Sequence, residues 1–147
     1  MNNLEKAEVV VSYPSPFGFA VFVRSASKTF VIYMDKCSGS AVERALDGVK
    51  WERPLTHEFI GYILEGMEAR IKDVVIYNED EGTFYAKLTL HMKNELGEKM
   101  IEIDSRPSDA LTMAIRSHAP VFVAKSVLDK VEDVTSVLDD IQKNKAL

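Results

Sequence analysis

One cysteine, Cys37, is all the sequence has, so no disulfide can close within the chain and no cysteine cluster can hold zinc. A lone cysteine in a small protein is as a rule inert. Positive charge is also in short supply. Eighteen basic side chains stand against 23 acidic ones, a formal net charge of −5, which disfavours non-specific binding to a polyanion. A local basic patch, or a cation between protein and phosphate, is compatible with that balance. No hydrophobic run is long: the strongest, Phe17 to Val23, is too short to span a bilayer. The first residues, Met1 to Glu8, are polar and carry acids, unlike a signal peptide. The expectation is a cytoplasmic protein with no membrane partner. No glycine-rich phosphate loop, zinc-protease helix motif or Gly-x-Ser-x-Gly elbow occurs, so no organic cofactor is expected. The three histidines, His57, His91 and His118, have no metal-ligand spacing.

What is present is a chain of 147 residues, 46% hydrophobic, enough for one domain with a real core. Glu8 to Tyr13 is valine-rich and reads as a buried strand that Pro14-Ser15-Pro16 breaks. Phe19 to Arg24 and Thr29 to Met34 read as a hairpin. Cys37-Ser38-Gly39-Ser40 leads into a helix with apolar residues from Ala41 to Val49. A second helix follows Arg53-Pro54-Leu55-Thr56, with Phe59, Ile60, Ile63, Leu64 and Met67 as its apolar face. Ile71 to Tyr77, Thr83 to Met92 and Lys99 to Asp104 predict three adjacent antiparallel strands. A helix from Pro107 then buries Ala110, Leu111, Ala114 and Ile115, and ends at Ser117-His118-Ala119-Pro120. Val121-Phe122-Val123 is wholly apolar, as a central strand would be. From Lys125 the pattern is one or two amphipathic helices, broken near Asp133, with a frayed end over Lys143 to Leu147.

The fold class is therefore α+β, a mostly antiparallel sheet with packed helices and a C-terminal helical tail. The expected division is a domain over residues 1–130 and a tail over 131–147. Arg53-Pro54 and Arg106-Pro107 each open a helix that a strand follows, a hint of internal duplication.

Polar chemistry crowds one place. Asp104, Ser105, Arg106, Ser108 and Asp109 sit where a strand feeds a helix, and helix N-termini favour anions. Two readings compete there. In one, Asp104 and Asp109 share a divalent cation, Mg²⁺ or Mn²⁺, while Arg106 and Arg116 bind phosphate. In the other, Pro107 is an ordinary first helical residue, and Ser105, Ser108 and Asp109 are caps tied by structural salt bridges. His57 beside Glu58 is a second candidate, as a general base or as a plain first-turn residue.

Ile103 to Ala110 and Ala119 to Val123 resemble the bifunctional nuclease domain family. Arg53 to His57, Leu64 to Ala69 and Thr83 to Ala86 share the likeness, which spans roughly residues 8–130. The resemblance implies a compact α+β domain, an oligomer with a dimer favoured, and nuclease activity on DNA and RNA. It makes Asp104, Arg106, Ser108 and Asp109 candidate site residues as shared motif positions. One departure stands out. The family commonly has an apolar residue and glycine after the third strand, then a glutamate at the next helix start. Here Asp35 replaces the glycine and Ser38 the glutamate. If that glutamate serves as metal ligand or base, Asp35 or Glu43 must stand in for it or the activity is weakened. The alternative function is a non-catalytic interaction or ligand-binding module whose Arg-Pro-Ser-Asp stretch is structural.

Overall fold

A computed structural model describes residues 3–145, with side chains through residue 144. Two meanders of three antiparallel strands form most of it. The first is β1 (Leu4–Ser15), β2 (Gly18–Ser25) and β3 (Thr29–Met34). The second is β4 (Ala69–Asp80), β5 (Thr83–Asn94) and β6 (Gly97–Ser105). Between them lies β7 (Val121–Ala124), antiparallel to β1 and parallel to β4. The sheet order is β3-β2-β1-β7-β4-β5-β6. The central place of β7 agrees with its unbroken apolar sequence, and Val121 and Val123 are both buried. The chain is α+β, as its pattern implies.

Each meander runs straight into a helix: β3 into α1 (Lys36–Asp47), β6 into α3 (Pro107–Ser117). The repeat in the topology thus pairs α1 with α3. The Arg-Pro pairing suggested by sequence joins unlike places, because Pro107 begins α3 whereas Pro54 lies before the Leu55 cap of α2 (Thr56–Gly66). Helix α3 is the more deeply set. Ala110, Leu111, Thr112 and Ala114 are all fully buried, and the Thr112 hydroxyl is satisfied by the Ser108 carbonyl at 2.7 Å.

The sheet is strongly curled. Phe30 of β3 stacks on Phe84 of β5 with ring centroids 5.7 Å apart. Five strand spacings separate β3 from β5, about 24 Å in a flat sheet. Curling around the shared core brings the two strand-to-helix junctions together at one end. Gly39 seats the start of α1 closely, since a Cβ there would collide with Phe19 of β2.

Two sequence expectations are corrected. Pro14 does not end β1, which pairs on through Pro14 opposite Phe19 to Ser15. β7 flanks β1 only at Leu4 to Ala7, so the proline sits where that side of the strand is free. Helix α2 does not bury its apolar stripe: none of its residues is buried, and Phe59 and Ile63 are 57% and 44% exposed. Only Leu64 of α2 packs on the core, where the helix meets α3 and β4 along one edge. From Lys125 there are two helices, α4 (Lys125–Leu128) and α5 (Thr135–Lys145), and the break expected near Asp133 is a loop between them. Asp133 ends that loop by accepting from the Thr29 amide and from the Thr135 amide and hydroxyl. The Val134 amide in turn donates to the Thr29 carbonyl. The α5 helix continues through Lys143 and Asn144 to Lys145, while residues 146 and 147 lie outside the described residues. Among the described residues no helix is long and apolar enough to cross a membrane.

Candidate functional site

The junctions open onto a cleft of about 720 Å³ between α1, α2 and α3. Helical spacing decides who faces it. From α1 come Cys37, Ala41 and Arg44, at four- and three-residue steps. From α2 come Thr56, His57 and Ile60. From α3 come Ser108, Asp109 and Arg116, the last two separated by two turns. Arg106, just before α3, completes the wall.

Asp109 is the hub. Its Oδ1 lies 2.9 Å from His57 Nε2, and its Oδ2 accepts from Arg106 Nε at 3.0 Å. Burial pushes the Asp109 pKa upward. The hydrogen bonds from His57 and Arg106 and the Arg106 charge outweigh it and hold the carboxyl below its usual range. An ionised carboxylate can only accept, so His57 Nε2 carries the shared hydrogen, and Nδ1 is the ring nitrogen left to act as an acceptor. Asp109 in turn raises the Arg106 pKa, first through their hydrogen bond and then through its charge.

The capping expectation at this helix is not met. Arg106 is the N-cap residue of α3 and no side chain caps it. The Ser105 hydroxyl donates to the Arg106 carbonyl at 2.9 Å, and Ser108 is buried against the cleft. The salt-bridge alternative is met in part by the Arg106–Asp109 pair. Arg116 instead approaches Glu58 at 3.7 Å, beyond hydrogen-bond reach.

Asp104 stands elsewhere. It pairs with Lys87 across β5 and β6, while its neighbours Ile103 and Ser105 pair with Leu88 and Ala86. Side chains alternate along a strand, so Asp104 points away from the face where Ala86 and Leu88 meet α3. There it accepts from the Tyr77 hydroxyl at 2.7 Å, a bond that raises the Tyr77 pKa. Asp104 and Asp109 therefore do not converge on one cation. Among the described residues no group of three or more histidine, cysteine or acidic side chains is placed to hold a metal ion.

Sequence reasoning missed Arg44 and underrated Glu58. Arg44 is half-buried, and its Nε, like that of Arg116, is buried with no hydrogen-bond partner in the protein. Among the described residues Arg44 makes no ion pair either. The available signal was its position in the last turn of α1, matched by Arg116 in the last turn of α3. Glu58 donates no proton but accepts from the Leu55 amide at 3.3 Å, closing the start of α2. At the other junction Asp35 caps α1, its Oδ1 accepting from the Ser38 amide at 2.8 Å. That bond, chiefly, holds the Asp35 carboxyl below its ordinary range, with Arg106 adding its charge.

A curled α+β sheet with its polar cleft at paired strand-to-helix junctions defines the class of domain. The chain belongs to the bifunctional nuclease domain family, whose sequence model matches residues 21–136. It is also similar to two uncharacterized proteins of Mycobacterium tuberculosis, MT1877 of strain CDC 1551 and Rv1829 of strain H37Rv. Each is 32% identical over 97 residues, 66% of this chain and 55% of the relative. The chain thus spans about half the length of these curated relatives.

Proposed function

We propose that the cleft between α1, α2 and α3 hydrolyses phosphodiester bonds of DNA or RNA. The observation that carries this reading is the meeting of a histidine–carboxylate pair with three arginines in one cleft. Asp109 orients the His57 ring, and Arg106 holds Asp109 in place. His57 Nδ1 then accepts a proton from the attacking water and returns it to the leaving oxygen as its P–O bond breaks. The guanidiniums of Arg44, Arg106 and Arg116 bind the phosphate and stabilise the charge that grows on its oxygens. The family's nuclease character supports the reaction class.

No step is routed through a metal. Each Asp109 oxygen already accepts one hydrogen bond, from His57 or Arg106, and Asp104, the other carboxylate considered for a cation, is on the far face. The test is cleavage of single-stranded and duplex substrates by pure protein, with Mg²⁺, Mn²⁺ or chelator. Hydrolysis that survives chelation and is lost in His57→Gln supports the histidine route. Hydrolysis abolished by chelator and restored by metal replaces it with a metal route. Equal cleavage by wild type, His57→Gln and Asp109→Asn assigns the activity to a contaminant.

A second reading is favoured by α2, whose Phe59, Ile63 and Met67 are exposed together. Such a face supports an interaction module, and self-association as a dimer is its simplest form. Solution mass tests it: a dimer should become a monomer in Phe59→Glu with Ile63→Glu. A wild-type monomer overturns the dimer.

A further inference from the structure

We propose that this protein binds a single unpaired nucleotide across two joined subsites, phosphate on Arg44 and Arg116, base on Trp51 and Tyr62. This rests on the reading that the cleft handles nucleic acid, and it adds which form of nucleic acid enters and how it is held.

The phosphate subsite follows from unsatisfied donors. Buried side-chain nitrogens normally have partners, yet Arg44 Nε and Arg116 Nε have none in the protein. Both side chains line the same cleft. Arg116 has only a long approach to Glu58, and Arg44 has no carboxylate at all among the described residues. The Nε atoms themselves are closed off, so a ligand meets each guanidinium through its terminal N–H groups, which fit oxygens of a phosphate. Two such guanidiniums lining one cleft, in a chain of net charge −5, are a local inversion of sign suited to an anionic group.

The base subsite is the adjoining cavity of about 510 Å³, which shares His57 and Arg116 with the first. Its wall carries Trp51 and Tyr62, 51% and 60% exposed, the tyrosine on the α2 face that also holds Glu58 and Glu65. Each subsite is within the size range of pockets for small ligands. Exposed aromatic rings beside guanidiniums are how proteins hold unpaired bases, by stacking that is tolerant of sequence. A base still paired in a duplex cannot enter such a cavity, so the site selects single strands or frayed ends. The Phe59–Ile63 face of α2 takes no part.

Trp51 is the sole tryptophan, so its fluorescence reports this site alone. The full chain is titrated with a short phosphorothioate oligonucleotide, the same sequence as a duplex, and inorganic phosphate. The single strand should quench Trp51 saturably, the duplex far more weakly, and phosphate not at all. Phosphate should instead compete the oligonucleotide off. Tyr62→Ala should weaken single-strand binding on the order of tenfold. Arg44→Gln with Arg116→Gln should weaken it at least as much and flatten its salt dependence, and Arg44→Lys should retain part of that loss as a check on folding.

Equal affinity for duplex and single strand overturns the proposal, as does an unchanged affinity in both variants. Quenching that tracks protein concentration without ligand also overturns it, by assigning Trp51 to contact with a second copy. Because the oligonucleotide resists cleavage, binding is read apart from turnover. Binding without hydrolysis of a normal strand sinks the nuclease reading and leaves this one standing; hydrolysis without Trp51 response does the reverse.

Discussion

At the start of α1 the carboxylate of Asp35 is spent on its own helix, accepting from the Ser38 amide and lying 3.2 Å from the Ser38 hydroxyl. At the start of α3 the cap position is Arg106, no side chain caps the helix, and the first-turn carboxylate of Asp109 reaches across to His57. Both junctions come from the same topological step, a meander feeding a helix. One is closed by local hydrogen bonds, the other left free to work between elements. Asp35 thus serves its helix as an N-cap, supplying a side-chain partner for a backbone N–H.

The comparison can be broken most severely at His57. His57→Gln should lower hydrolysis by roughly 10²- to 10⁴-fold, the usual share of a general base, with thermal stability nearly unchanged. An intact rate would make the Asp109 junction as structural as that of Asp35. Next in size is Phe30→Ala, which removes the stack that holds β3 near β5. Phe30 is 1% exposed, so about 3–5 kcal/mol of stability should go, read by urea denaturation. Asp35→Ala should cost about 1 kcal/mol through the lost cap and leave the hydrolysis rate alone. A rate that fell with it would move Asp35 into the working junction.

The smallest effect is in the acid. The Asp109 pKa is lowered on folding, so its contribution to stability is complete above the ordinary carboxylate value, about 3.9. It is lost as pH falls below that value through the lower folded one. Melting temperatures of Asp109→Asn and wild type should therefore converge as pH drops from 5 toward 2. A gap that stayed constant would mean the pair with His57 and Arg106 does not depend on charge.

Much of this was legible in the residues. Alternation in Thr83–Met92 and the apolar run at Val121–Val123 carry direct marks of a half-covered and a central strand. The Arg-Pro-Ser-Asp stretch marked the junction from which Asp109 reaches His57. Strand parity also separated Asp104 from Ser105, since Ile101 and Ile103 alternate with Glu102 and Asp104, and pairing the two acids on one ion ignored that period of two. The meeting of His57 with Asp109 was not legible, because 52 residues separate them and it depends on how α2 packs on α3. Nor was the exposure of Phe59 and Ile63. A helical stripe shows that a face is apolar, not which surface covers it.

The curl has a consequence in time. Its contacts join distant parts of the chain: Lys28 donates to carbonyls of Leu128 and Val131, and β3 stacks on β5. Long loops must close before such contacts reward the chain, whereas each hairpin can form by itself. During refolding the meanders should therefore be in place before the cleft is, and the cleft's chemistry should be the last property to return. Its activity becomes a clock for the end of folding.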